Sequence, residues 1–130
     1  VVERDQILPR KDLRAGDVVL GFPSSGPHTN GYSLIRRVFA DVPVDQEFEG
    51  IGRLGEALLV PHRAYLEPVR RLQDGGLLAL GANVFNMGIG MVAVVSPDDV
   101  DLALRLEPDL KVIGELVPGR RQVTLVGVME

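Results

Sequence analysis

The sequence predicts an α+β domain in which a mixed, largely antiparallel sheet has helices packed on it. Two observations point to this class. Short apolar runs typical of strands are interspersed with segments of helical periodicity. The last two runs, Lys111–Val117 and Gln122–Val126, flank a Pro-Gly turn and would pair as an antiparallel hairpin. The 130 residues, 45% of them hydrophobic, suffice for one core.

A strand, a long polar loop and a helix are predicted in the first third of the chain. Val18–Phe22 is a short apolar run of the β type. Pro23–Gly31 then carries no apolar side chain except proline, and it is long for a simple connection. Tyr32–Phe39 predicts a helix, because its apolar residues recur at helical spacing and its two arginines fall on the other face.

The middle of the chain predicts a surface loop followed by a second helix. The stretch Asp41–Arg53 is acidic and contains glycine, as surface loops do. The apolar residues of Ala64–Leu72 suggest a helix with Pro61 in its first turn and a stop at Gly75-Gly76. Pro68 lies inside this pattern, so the helix either starts there or kinks.

The last third predicts a buried strand, a helix and a further strand. Val92–Val95 is the strand, and Ser96 followed by Pro97 is a strong helix start, with the helix continuing to Pro108. We expect the core to be formed by four apolar segments: Val18–Phe22, Leu34–Phe39, Val92–Val95 and Val112–Val117.

Composition excludes several classes of function. The net charge of −4 and the low aromatic content of 5% argue against a nucleic-acid partner. Without cysteine, the chain can form neither disulfides nor thiolate metal sites. No apolar run is long enough for a membrane helix, and the first residues do not resemble a signal peptide. We therefore expect a soluble cytoplasmic protein with no membrane partner.

The loop between the first strand and the first helix is the leading candidate for a ligand site. Glycines let the backbone approach an anion, and the start of a helix offers free N–H groups, so the loop predicts a phosphate or carboxylate site. A simple capped turn, with Asn30 or Ser33 as the N-cap, explains the loop equally well. The candidate binding residues are Ser25, Gly26, His28, Thr29, Asn30 and Gly31.

A second candidate is the glycine-bearing segment Asn86–Met91. Asn86 is its one polar group able to address a ligand, and Gly88 would allow a close approach of the backbone. A tight entry into the following strand is the favoured explanation from composition alone. No metal site is predicted, because His28 and His62 are far apart in sequence and no cluster has ligand spacing.

Three motifs of this chain resemble one known family. The strand–loop–helix run from Gly16 to Arg36 is similar to a signature of phosphoribosylformylglycinamidine cyclo-ligases, also called aminoimidazole ribonucleotide synthetases. Leu58–Tyr65 resembles that family's Leu-Leu-x-Pro-Thr-x-x-Tyr segment, with His62 at the threonine position. Phe85–Met91 followed by Val112–Glu115 resembles its closing signature. The order matches that of the C-terminal domain of the family.

The resemblance implies a reaction and a set of site residues. Formylglycinamidine ribonucleotide is cyclised with ATP to aminoimidazole ribonucleotide in purine biosynthesis. The glycine loop would line the substrate side of a cleft, with Asn86 and Gly88 near it. His28 and Asn30 are the candidates for a catalytic role, and neither is assigned as acid or base. ATP and Mg²⁺ would be bound mainly by a preceding ATP-binding domain, and the enzyme would be a homodimer.

Two departures from the family pattern leave alternatives open. Residues 1–8 look like the last strand of the ATP-binding domain, which is otherwise absent, and residues 9–130 would be the C-terminal domain. Compared with the family pattern, we expect an internal segment to be missing near residues 80–84. The isolated chain is therefore expected to be inactive. The alternatives are another member of the same ATP-dependent superfamily, such as formylglycinamidine ribonucleotide synthetase, and a non-catalytic anion-binding or assembly module.

Overall fold

A computed structural model describes residues 13–77, the backbone of residues 79–81, residues 88–119 and residue 124. Six strands, four α-helices and one 3₁₀ turn lie in this part of the chain. In order they are β1 (Val18–Pro23), α1 (Tyr32–Val38), β2 (Glu47–Phe48), β3 (Gly52–Arg53), α2 (Leu54–Leu58), α3 (Leu66–Asp74), β4 (Ala79–Gly81), β5 (Ile89–Val95), the 3₁₀ turn Pro97–Asp99, α4 (Val100–Leu106) and β6 (Lys111–Glu115).

The main sheet has four described strands in the order β4-β5-β1-β6, and each neighbouring pair is antiparallel. In the register of β1 with β5, Leu20 lies opposite Ala93 and Phe22 lies opposite Met91. β2 and β3 form a separate two-stranded hairpin. The predicted α+β class with a largely antiparallel sheet is therefore confirmed.

The core lies on one face of this sheet, beneath α3 and α4. Alternate residues of a strand point to the same face, and Leu20 and Phe22 of β1 are both fully buried. Leu72 of α3 and Ala103 of α4 are buried in the same cluster. The remaining members of the cluster are Tyr65, Leu77, Ala93, Val95 and Leu110.

An ion pair and a close packing contact join α3 to the end of α4. Glu107 is only 4% exposed, and its carboxylate is paired with the guanidinium of Arg71. A Cβ added to Gly75 would lie 2.8 Å from Leu106, so the end of α3 approaches α4 more closely than a larger residue allows. These contacts fix the two helices that cover the core.

Two of the predicted contributions to the core are wrong: that of the first helix and that of the strand over Val112–Val117. α1 has no buried residue, and Leu34 and Val38 are 51% and 62% exposed. All residues of β6 are exposed, including Val112 at 56%. The reason is that α3 and α4 occupy the buried face of the sheet. α1 is instead attached near α2, where the Tyr32 hydroxyl donates to the Leu58 carbonyl at 2.6 Å.

The second predicted helix exists, but its start lies later than expected. α3 begins at Leu66, so Pro61 lies in a segment without helix or strand, residues 60–65, that connects α2 to α3. Pro68 is in the first turn of α3, where its missing N–H costs no helical hydrogen bond. The predicted stop is confirmed, since α3 ends at Asp74 and Gly76 has a φ of +78°.

Two further predictions need correction. The acidic loop over residues 41–53 contains the β2–β3 hairpin, and the short α2 follows it. Ser96 precedes a 3₁₀ turn rather than capping a helix, because its hydroxyl donates to the Asp99 carboxylate at 2.7 Å. The expected opening strand, the missing segment near residues 80–84 and the final strand Gln122–Val126 fall outside the described residues, wholly or in most of their length.

None of the helices in the described ranges has the length and apolar character needed to cross a membrane.

Candidate functional site

The polar loop after β1 contacts residues 60–65, the segment that precedes α3. The hydroxyl of Ser25 donates a hydrogen bond to the Pro61 carbonyl at 2.8 Å. The same oxygen accepts a hydrogen bond from the backbone N–H of Arg63 at 3.0 Å. One side chain thus satisfies a backbone acceptor and a backbone donor on either side of His62. The first two sequence motifs meet at this point.

Three aromatic rings converge beside this junction. The ring centroids of His28 and His62 are 3.8 Å apart, with an angle of 49° between their planes. Tyr65 is perpendicular to His62 at a centroid distance of 5.7 Å and lies 6.0 Å from His28. His28 is half-buried, whereas His62 is exposed. The two histidines therefore form a tilted pair, the histidine stack, with one inner and one outer ring.

Tyr65 connects this cluster to the core. Its hydroxyl donates to the Pro23 carbonyl at 3.1 Å, and its ring meets the Phe22 ring edge to face at 5.9 Å. Burial raises the pKa of the Tyr65 phenol, and the positive charge of Arg63 opposes that shift. The phenol therefore remains protonated and able to donate at neutral pH. This bond fixes the start of α3 relative to the end of β1.

The third motif contributes a glycine at the point of closest approach. A Cβ on Gly90 of β5 would collide with the Tyr65 hydroxyl and would lie 2.6 Å from Cε1 of His28. Only a residue without a side chain leaves room for both rings. Two residues earlier, the Gly88 carbonyl accepts a hydrogen bond from the Ser24 N–H at 2.9 Å. All three motifs therefore meet at one place.

His28 carries the most distinctive polar atom of the site. In the described part of the chain its Nε2 atom is buried and has no hydrogen-bond partner. Burial lowers the pKa of His28, and the neighbouring His62 lowers it further. A buried polar atom without a partner is uncommon in folded proteins, because its lost hydration is not replaced. A ligand that supplies the missing hydrogen bond would remove this cost.

The structure brings some of the predicted site residues together and separates others. Ser25, His28 and Gly88 make the contacts described above. Gly26, which belongs to the same loop as Ser25 and His28, lies close to α2 and to Val60. Thr29 and Asn30 are exposed at the rim of the loop. The position of Asn86 lies outside the described residues.

The capped-turn alternative is corrected by the start of α1. The N-cap residue is Gly31, with a φ of +94°, and no side chain caps the helix. The Gly31 carbonyl accepts hydrogen bonds from the N–H groups of Leu34 and Ile35, each at 3.0 Å. Neither Asn30 nor Ser33 is the cap, so the polar side chains of the loop are not explained by that role.

Sequence reasoning missed three residues of the site: His62, Tyr65 and Gly90. The separation of the two histidines along the chain does not predict their contact, because the fold brings their rings together. Leu58–Tyr65 contained the available signal, since the position of the tyrosine matches the family segment and His62 replaces its threonine. Gly90 lies in the motif that was singled out, but its role depends on side chains from elsewhere in the chain.

The described residues show no cluster of side chains suited to Mg²⁺. Within the described ranges, no group of three His, Cys, Asp or Glu side chains could hold a metal ion. The chain has only two lysines, Lys11 and Lys111, and Lys111 is an exposed residue of β6. A cavity of about 410 Å³ lies at the opposite end of β1, lined by residues 13–17, 76–77 and 94–99. That cavity contains none of the predicted site residues.

Comparison with known proteins matches the same family that the motifs resemble. No family model matches the chain. The phosphoribosylformylglycinamidine cyclo-ligase of Alkaliphilus oremlandii is 32% identical, over 96% of this chain and 53% of the relative. The protein of the same name from Caldicellulosiruptor bescii is also 32% identical, over 96% and 54%. This chain is homologous to the phosphoribosylformylglycinamidine cyclo-ligases.

A third cyclo-ligase, from Oceanobacillus iheyensis, is 30% identical over 82% of this chain and 46% of the relative. The chain therefore spans about half the length of the curated cyclo-ligases that it matches. This coverage agrees with a chain that corresponds to one domain of a cyclo-ligase. The printed name of these relatives is that of a ligase.

Proposed function

We propose that this chain supplies the substrate-side, C-terminal domain for the ATP-dependent cyclisation of formylglycinamidine ribonucleotide to aminoimidazole ribonucleotide. Homology to cyclo-ligases over nearly the whole chain supports the family of reactions. The meeting of all three motifs at Ser25, His28, Tyr65 and Gly90 supports a common site. The buried, unpartnered Nε2 atom of His28 is the observation that carries the proposal.

In this proposal the site works by binding and orientation. Cyclisation needs the amidine nitrogen to be held near the activated formyl carbon, and positioning alone supplies a large part of such a rate enhancement. The glycine-bearing loop would bind the ribonucleotide phosphate through backbone N–H groups. Ser25, Gly26, His28, Thr29, Asn30 and Gly31 are the proposed binding residues, with Asn86 and Gly88 beside them. His28 and Asn30 remain the candidates for a catalytic role.

ATP and Mg²⁺ would be bound mainly outside this chain's described residues. We assign them to an ATP-binding domain that pairs with residues 1–8, since about half of each relative has no counterpart in this chain. The chain by itself would then not hydrolyse ATP. The complete enzyme would be a cytoplasmic homodimer.

Two alternative functions remain, and each predicts a different preference for ligands. Another member of the superfamily, such as formylglycinamidine ribonucleotide synthetase, would bind a different ribonucleotide; the shared name of the relatives favours the cyclo-ligase. A non-catalytic anion-binding or assembly module would bind simple phosphates as well as it binds the ribonucleotide.

Titration calorimetry on the full chain tests the proposal. We expect formylglycinamidine ribonucleotide to bind more tightly than ribose 5-phosphate or inorganic phosphate. Asn30→Ala should weaken binding by about tenfold, the cost of one hydrogen bond of about 1.4 kcal/mol. Gln46→Ala, which alters an exposed amide in another loop, should leave the affinity unchanged.

Equal affinity for all three ligands would favour the anion-binding module over the cyclo-ligase domain. An unchanged affinity in Asn30→Ala would remove Asn30 from the site. If the unaltered chain binds none of the three ligands, the proposed function is wrong for this chain.

A further inference from the structure

We propose that His62 is a positioning residue, whose ring stacks on His28 and holds it as a neutral hydrogen-bonding group for the amidine end of the ribonucleotide. This inference rests on the proposed function for the identity of the ligand. The stacking itself is a property of the free chain and can be tested without any ligand.

The geometry gives the two histidines different surroundings. His62 covers one side of His28 at a centroid distance of 3.8 Å and is itself exposed to solvent. On other sides His28 meets Tyr65 and the backbone of Gly90, where even one added carbon would lie 2.6 Å from the imidazole. The inner ring is therefore confined, and the outer ring is the one that water can reach.

The surroundings of His28 disfavour a positive charge on its ring. An imidazolium at this position would be partly removed from water, and it would lie 3.8 Å from the ring of His62. Among the described residues, the Tyr65 phenol and the Arg63 guanidinium also pack here, and the guanidinium lies 5.9 Å from the Tyr65 ring. β5 contributes the backbone of Gly90. The pKa of His28 is lowered by burial and by His62, in agreement with this arrangement.

A neutral His28 suits the proposed ligand. An amidine is a strong base that is protonated at neutral pH, so an imidazolium beside it would add a repulsion between like charges. A neutral imidazole has one ring nitrogen free to accept a hydrogen bond from an N–H donor. The Nε2 atom of His28 is buried and has no partner in the described part of the chain, so it is the ring nitrogen that we assign to this bond.

Position 62 is where this chain departs from the family segment that it resembles. The family segment that Leu58–Tyr65 resembles has threonine where this chain has His62. Threonine has no ring to stack on His28 and no charge to repel a second proton. His62→Thr is therefore a substitution that the family pattern tolerates, and it removes both effects at once.

Proton titration of the histidine rings by NMR on the full chain tests the inference. The chain has only two histidines, so either single variant leaves one ring signal and completes the assignment. We expect the His28 titration midpoint to move to higher pH in His62→Thr. His62→Phe keeps a stacked ring without a charge, and it should move the midpoint by a smaller amount in the same direction.

An unchanged His28 titration midpoint in His62→Thr would overturn the inference. Equal shifts of the midpoint in His62→Thr and His62→Phe would also overturn it, because the aromatic ring at position 62 would then have no role. The pH profile of ribonucleotide affinity gives a second readout: its acidic limb should move to higher pH in His62→Thr. If the unaltered chain binds no ribonucleotide, the proposed function fails. The titration without ligand still decides whether His62 controls the protonation of His28.

Discussion

The hydroxyl of Tyr65 occupies the space that a side chain on Gly90 would need. Tyr65 lies at the start of α3 and Gly90 lies in β5, so this contact joins a helix terminus to the sheet. From the same position Tyr65 donates to the Pro23 carbonyl at the end of β1. The relationship holds three parts of the chain around His28.

Replacing Gly90 by alanine should destabilise the fold and disturb the histidine stack. The added Cβ has to displace the Tyr65 phenol and the His28 ring, and overpacking of this kind costs about 1–3 kcal/mol. Chemical denaturation measures the loss of stability. Gly114→Ala is the matched control, because Gly114 lies in β6 with no atom within 4 Å of its added Cβ. Equal effects of the two substitutions would contradict the packing of Tyr65 on Gly90.

Replacing Ser25 by alanine should detach the polar loop from the segment before α3. The variant loses the hydrogen bonds to Pro61 and Arg63, and because the site is exposed to water we expect a cost of about 1 kcal/mol. Hydrogen exchange gives the sharper readout: the Arg63 amide should exchange faster. Ser33→Ala, an exposed change on α1, should leave that amide unaffected. Unaltered protection of Arg63 in Ser25→Ala would show that the loop is held by other contacts.

Removing the guanidinium of Arg71 should lower stability far more than removing its neighbour. Arg71→Ala leaves the carboxylate of Glu107 buried without its partner, which we expect to cost more stability than the loss of an exposed ion pair. Arg70→Ala breaks only the exposed pair with Glu67 and should cost less than about 1 kcal/mol. Urea denaturation of the two variants measures the difference, and similar losses would mean that the Glu107 pair contributes no more than a surface pair.

The lowered pKa of His28 predicts how stability changes with pH. Its ordinary pKa is 6.5, and in the folded chain the pKa is lower. Between these two values the unfolded chain binds more protons, so the free energy of unfolding rises with pH. The contribution of His28 is therefore complete above about pH 6.5 and is lost as the pH falls through the folded pKa.

Denaturation midpoints measured across that pH range test the effect. His28→Gln should flatten the change in stability just below about pH 6.5, because the variant has no proton to take up there. A slope identical to that of the unaltered chain would mean that His28 has the same pKa in the folded and unfolded states.

Much of the fold could be predicted from sequence because strands and helices leave local patterns. β1, β5 and β6 follow from apolar runs, and the end of α3 follows from two glycines. Which face of an element becomes buried is not a local property. The spacing of apolar residues in α1 is correct for a helix, yet Leu34 stays exposed because α3 and α4 cover the sheet.

In the candidate site, too, local sequence patterns could be predicted, and contacts between distant segments could not. The polar loop was recognised because hydroxyls, glycines and a histidine between a strand and a helix form a local pattern. The contact of His28 with His62 was not, because it depends on how Ser25 docks the loop on a distant segment. Gly90 carries no sign of its role until the ring of Tyr65 is placed against it.

The most direct test of the account follows the His28 ring signals by NMR while formylglycinamidine ribonucleotide is added to the full chain. If the meeting point of the three motifs is the ribonucleotide site, the His28 signals shift progressively and saturate, and ribose 5-phosphate alone does not reproduce the full shift. If the ribonucleotide binds while the His28 signals stay unchanged, the binding site lies elsewhere and the central claim is wrong.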